Sequence, residues 1–223
     1  MISAALLCSL ATLLPQEGLT PERFARKLTR LSPRPELSPD PTNAYADDER
    51  AARLGRALFF DPRLSPDGAF SCSTCHDPAR AFTDGRSLAL GREPLKRNAP
   101  TLLDVGRRRW LFWDGRTDSL WAQVRHPLES SLEMDGDRLA VAHVIRSDEG
   151  YRVQYEALFG HLPELADGAR FPAHAKPVPR DDEDPRHQAW VRMTADDRAQ
   201  IDGLLVNVSK SLAAYQRRLR TGA

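Results

Sequence analysis

Five consecutive residues, Cys72-Ser73-Thr74-Cys75-His76, constrain this chain more than any other feature. C-x-x-C-H is the attachment signature of a c-type haem. Two thiols at this spacing add across the two vinyl groups of the porphyrin, and the adjoining imidazole is close enough to ligate the iron from one face. A chain that carries such a group folds around it, and its chemistry is decided by what occupies the other face of the iron. Two rivals share the C-x-x-C element. A zinc knuckle needs further ligands, but the third and last cysteine, Cys8, lies in an apolar N-terminal run. A redox dithiol remains a rival, though the following His fits haem better.

The 223 residues suffice for one good core with a small second lobe. Basic and acidic residues balance to a net charge of +1, which points to neither nucleic acid nor an anionic membrane as partner. Seventeen prolines and few Val/Ile runs argue against a large sheet. Residues 1–14 are apolar and Ser9-Leu10-Ala11 offers small residues for cleavage, so 1–18 reads as a secretory signal peptide, too short for a stable membrane span. That run lacks Lys and Arg in its n-region, and the residues before Cys8 match a lipobox poorly. Covalent haem attachment is extracytoplasmic in bacteria, so both signals point to an exported, periplasmic protein.

Thr20-Pro21-Glu22 opens a helix expected to run to about Arg30. Apolar residues recur at helical spacing from Asp47 to Phe60, and Asp61 to Pro100 reads as loops around the haem motif. Short helices are expected over Asp118–Arg125, Asp137–Ser147 and Gly150–Phe159. Residues 19–160 are thus expected to form the haem domain. The stretch 161–190, rich in Pro and carrying Asp181-Asp182-Glu183-Asp184, reads as an exposed connection. Residues 191–223 hold a long closing helix with the stripe Ile201, Leu204, Leu205, Val208, Leu212, Tyr215 and Leu219. The fold class is all-α, a cytochrome c-like domain with long loops.

Candidates for the other face of the iron are His126, His143, Met134, Met193 and nearby carboxylates, and spacing does not choose between them. His143, between Ala142 and Val144 on a predicted helix, reads as a helix-surface residue. Two stretches look unusual for plain loops: Arg97-Asn98-Ala99-Pro100-Thr101-Leu102 and Leu111-Phe112-Trp113-Asp114-Gly115-Arg116.

These stretches carry a resemblance. In order, Leu54-Gly55-Arg56-Ala57-Leu58-Phe59-Phe60-Asp61-Pro62, Cys72 to His76, Phe82-Thr83-Asp84-Gly85, Arg97 to Leu102, Phe112 to Arg116, Pro127-Leu128 and Leu132-Glu133-Met134 are similar to motifs of the bacterial di-haem cytochrome c peroxidases and their MauG-like relatives. The resemblance spans about Asp47 to Gln216. It implies a haem c-dependent peroxidase, an oxidoreductase that reduces hydrogen peroxide to water with electrons from a small donor protein of cytochrome c or cupredoxin type. It also implies that Cys72 and Cys75 bind the peroxidatic haem and that His76 is its proximal ligand. Glu133 matches the distal acid, which moves a proton from the inner to the outer peroxide oxygen. Trp113 matches the aromatic that passes electrons between two haems. Asn98 matches a residue near a calcium, and Pro127 one on the distal side.

Two departures from the family pattern follow. A loop His that blocks the iron in many members is replaced at the corresponding position by Leu90, which resembles members with an open peroxidatic iron. The family also carries a second C-x-x-C-H in a C-terminal domain, whereas this sequence has one. The expectation is therefore a peroxidatic half with the second haem domain absent, one covalent haem c, and a separate second-haem subunit as a partner. Two other functions compete: a mono-haem electron carrier with Met134 or a His as sixth ligand, and an inactive fragment of the family.

Overall fold

A computed structural model describes residues 20–22 and 36–221. The chain divides at Leu37 into two units, the second of which holds residues 38–221. The expected signal peptide, Cys8 and most of the Thr20–Arg30 helix lie outside the described residues; Pro21 and Glu22 are helical.

The second unit is built from seven α-helices: α1 Glu49–Phe59, α2 Cys72–Cys75, α3 Leu120–Glu129, α4 Arg138–Ser147, α5 Glu149–Phe159, α6 Pro185–Arg192 and α7 Ala195–Gln216. Among the described residues there are no strands, only isolated bridges Asp77–Thr83, Leu90–Pro94 and Leu111–Thr117, which pin the loops. The all-α reading holds. No helix among the described residues is long and apolar enough to cross a membrane.

α1 starts where Asp48 accepts hydrogen bonds from the amides of Arg50 and Ala51, and Glu49 complements the positive helix end. Its buried face, Ala51, Leu54, Gly55, Leu58 and Phe59, lies on α7. α7 starts at Thr194, whose side chain accepts from the Asp197 amide, with Asp196 and Asp197 in its first turn. The two helices touch backbone to backbone: a Cβ on Gly55 would stand 1.9 Å from the Ser211 carbonyl oxygen. α3 and α4 also pack on α7, making it the central post of the core. Asp148 ends α4 and caps α5 through the Tyr151 amide. Nearby, buried Asp61 accepts 2.6 and 2.8 Å hydrogen bonds from Arg63 and the Tyr151 hydroxyl, joining the end of α1 to α5.

Three expectations need correction. α3 runs through Pro127 to Glu129 rather than stopping at Arg125, because tertiary packing of Val124 and Leu128 outweighs the missing amide of one proline. Leu219 lies past the end of α7, yet stays buried in the loop that follows. Residues 161–190 are more than an exposed connection. Leu165, Phe171, Ala175 and Trp190 join the core, Lys176 is buried, and Asp184 caps α6. Between these anchors the stretch is exposed as expected, at residues 166–170 and from Pro179 through the acidic tip Asp181-Asp182-Glu183.

Candidate haem site

Cys72 to Cys75 form one helical turn, α2, whose start is tied by the Ser71 amide donating to Thr74 Oγ1 at 3.0 Å. Residues three apart on a helix share a face, so the two thiols lie on one side. Both are free, and burial pushes Cys72 up to about 12 and Cys75 up to about 11. The His76 amide closes the turn on the Cys72 carbonyl at 3.0 Å. Its ring Nδ1 is 3.0 Å from the Phe82 carbonyl. A carbonyl only accepts, so Nδ1 carries the proton and Nε2 keeps its lone pair, the arrangement that orients a ligating imidazole. Burial pulls His76 below its ordinary value, which keeps the ring neutral, although the Phe82 and Pro100 carbonyls and Asp84 oppose this.

The loop that presents the Phe82 carbonyl is strained. Ala81 and Phe82 both have left-handed backbones, with φ of 54° and 55°. Each costs roughly 1–2 kcal/mol for a residue with a Cβ. The loop is over-determined by Phe82 N–H to the Asp77 carbonyl at 2.8 Å, Arg80 to the Asp84 carbonyl at 2.9 Å, and Thr101 Oγ1 to the Ala81 carbonyl.

Cys72, Cys75 and His76 form one wall of a cavity with about 620 Å³ of empty space, including the part open to solvent. Gln123 and Pro127 of α3 contribute to the lining, as do Glu133 and Met134 of the turn that follows, and Leu212 and Gln216 of α7. Gln216 is 5% exposed and its Oε1 has no hydrogen-bond partner within the protein. Two free thiols, an oriented neutral imidazole, apolar walls and one unpartnered amide oxygen fit a covalently attached haem. They do not fit zinc: among the described residues no three His, Cys, Asp or Glu side chains converge on a metal position.

Glu133 sits in a tight turn. Its amide donates to the Ser130 carbonyl at 3.0 Å, Asp135 N–H to the same carbonyl at 2.8 Å, and Gly136 N–H to Leu128 at 2.7 Å. The loop through Gly91 packs against this turn so closely that a Cβ on Gly91 would stand 2.4 Å from the Leu132 carbonyl oxygen and 2.9 Å from Glu133 Cα. Arg92 Nε adds a 3.3 Å hydrogen bond to the Met134 carbonyl. Burial pushes the Glu133 carboxyl above its ordinary range, opposed by the positive charge of Arg116.

The other expected residues divide. Pro127 and Met134 line the cavity with Glu133. Trp113 and Asn98 do not; they pair with each other, the indole N–H donating to the Asn98 carbonyl at 3.2 Å, and Trp113 is 58% exposed beside the equally open Trp110. His126 is exposed and its ring lies edge-on to Phe112. His143 is half-buried and bonds the Pro172 carbonyl at 3.2 Å, and Met193 is in the core; neither lines the cavity. Asn98 is exposed, and among the described residues no group of three His, Cys, Asp or Glu side chains converges on a metal position. Gln123, which the sequence reading missed, lies one helical turn before Pro127; that i, i+4 spacing was the available signal.

Fold and motif together define a helical c-type haem-binding domain. Residues 49–223 match the di-haem cytochrome c peroxidase family, and the chain belongs to that family. The methylamine utilization protein MauG of Methylorubrum extorquens is 40% identical over 129 residues, 57% of this chain and 36% of the relative. The cytochrome c551 peroxidase of Pseudomonas aeruginosa is 31% identical over 174 residues, 76% of this chain and 46% of the relative. Among solved structures, the diheme peroxidase BthA of Burkholderia thailandensis superposes with a TM-score of 0.53 at 27% identity, over 82% of this chain and 40% of that one. The chain thus spans less than half the length of each of these relatives.

Proposed function

We propose that this chain is the peroxidatic haem c half of a di-haem peroxidase, reducing hydrogen peroxide to water. The observation that carries this reading is one cavity with the Cys72-Cys75-His76 set on one side and a carboxylate of raised pKa, Glu133, in the lining contributed by another loop. Haem held there supplies an iron that takes peroxide and accepts electrons. Cys72 and Cys75 would hold it by thioether bonds, and His76 Nε2 would ligate its iron. Glu133 would take a proton from the inner peroxide oxygen and return it to the outer one, so that the O–O bond breaks with one water leaving; two electrons from the donor and two protons from solvent would complete the second water. Pro127 and Gln123 confine the space beside it. Trp113, open at the surface, is the entry for electrons from a second haem. That haem sits on a separate subunit or on further chain, and is itself served by a small cytochrome c or cupredoxin-type donor. Covalent haem attachment and the apolar run of residues 1–14 support export to the periplasm.

A second reading rests on Met134, which lines the same cavity and is a thioether suited to iron. With Met134 as sixth ligand the chain is an electron carrier. The test is peroxide consumption by the chain matured with haem c and supplied with a reduced small redox protein. Wild type consumes peroxide, whereas Cys72→Ser/Cys75→Ser loses both covalent haem on a denaturing gel and peroxide consumption. Covalent haem without peroxide consumption would favour the carrier.

A further inference from the structure

The segment read from sequence as a connection buries a lysine that the proposed chemistry does not use. Lys176 is 3% exposed. Its Nζ donates to the Glu129 carbonyl at 2.8 Å, the Gly136 carbonyl at 2.9 Å and Asp135 Oδ1 at 2.9 Å. An ammonium has three donors and no acceptor, so this set saturates it. A buried ammonium is strongly unfavourable without such partners.

The three acceptors bracket Glu133, one at the end of α3 and two just after it. Asp135 stands at φ 54° and also accepts from Arg186 Nη1 at 2.8 Å. The neighbours of Lys176 close on the same turn: the Ala175 amide and His174 Nδ1 reach buried Asp137 at 3.2 and 2.8 Å. From another side Gly91, Arg92 and Glu93 touch Leu132, Glu133 and Met134. The turn carrying the carboxylate is held between two clamps that come from distant parts of the chain.

We propose that Lys176 is a positioning residue for Glu133, closing the turn so that the carboxyl stays in the cavity wall; this rests on the reading of Glu133 as the proton carrier. A residue acting through Glu133 has no further effect once Glu133 cannot carry a proton. A residue that merely stabilises the domain lowers the rate in either background.

The test compares wild type, K176M, E133Q and K176M/E133Q, each matured with haem c, for the second-order rate with hydrogen peroxide. Amide exchange is followed in parallel. K176M is expected to lower the rate tenfold or more and to speed exchange over residues 130–136, with protection on α1 and α7 unchanged. The double variant is expected to match E133Q alone. Should K176M fail to fold, D135N decides: Asn tolerates the left-handed backbone while losing the charge that pairs with Lys176. Equal losses in both backgrounds, or unchanged rates and exchange in K176M and D135N while E133Q falls, overturn the positioning role alone. An unimpaired E133Q instead overturns the reading of Glu133, and this inference with it.

Discussion

Glu133→Gln lowers the rate of the haem-loaded chain with hydrogen peroxide by about 10²–10⁴-fold, the usual worth of a positioned proton carrier. The amide has nearly the same shape, so the backbone hydrogen bonds of the turn over residues 130–136 persist. What is lost is the ability to accept a proton and pass it on. The pH profile gives an independent sign. Burial raises the Glu133 carboxyl above its ordinary range, and Arg116 only partly opposes this. The carboxylate is the form that accepts the peroxide proton, so the rate falls as pH drops through that raised value. The acid limb of wild type therefore lies at higher pH than a solvated glutamate would give, near 4.3, and it disappears in the variant. Stopped-flow rates from acid to neutral pH test both points; a variant that keeps the wild-type rate and limb removes Glu133 from the chemistry.

Gly55→Ala destabilises the domain by about 3 kcal/mol or more, at or beyond the upper end of overpacking effects. Helix propensity predicts the opposite sign, since Ala in a helix interior is preferred over Gly by roughly 0.5–1 kcal/mol. Packing wins because the added methyl would meet backbone: the Ser211 carbonyl oxygen at 1.9 Å, its carbon at 2.4 Å and the Leu212 nitrogen at 2.8 Å. No rotamer change relieves that contact. The helices must part, loosening Leu54 and Leu58 from the rest of the core. Gly203, on α7, is the control, because a methyl added there would have nothing within 4 Å. Gly203→Ala follows propensity and stabilises by up to about 1 kcal/mol. Urea midpoints of the two variants check the pair. A Gly55→Ala protein as stable as wild type would mean that α1 and α7 do not cross this closely.

The legible parts of the chain were those where a local pattern and the tertiary fold agree. The stripes of α1 and α7 could be read from spacing, whereas the helical turn Cys72–Cys75 lies in a stretch that reads as loops. α7 is nevertheless buried more widely than its stripe, since Ser209, Ser211 and Gln216 are buried too. A helix enclosed on several sides has polar positions in its core that periodicity assigns to solvent. The role of Glu133 came from resemblance; no spacing rule links a carboxylate to a haem motif 57 residues earlier. Residues 161–190 were misread because their buried groups, Leu165, Phe171, Ala175 and Lys176, follow no helical or strand period. Prolines and the acidic run give a correct account of the exposed tip and a misleading one of what lies beneath. Lys176 was invisible for the same reason: its three acceptors come from another part of the chain.

The central claim is that one wall of the cavity holds a haem c through Cys72, Cys75 and His76, while the opposite iron face stays open beside Glu133. The most direct measurement is the absorption spectrum of the ferric, haem-matured chain before and after one equivalent of hydrogen peroxide. The account predicts a high-spin spectrum that changes within the mixing time. A low-spin spectrum indifferent to peroxide would place a ligand such as Met134 on the open face and contradict it.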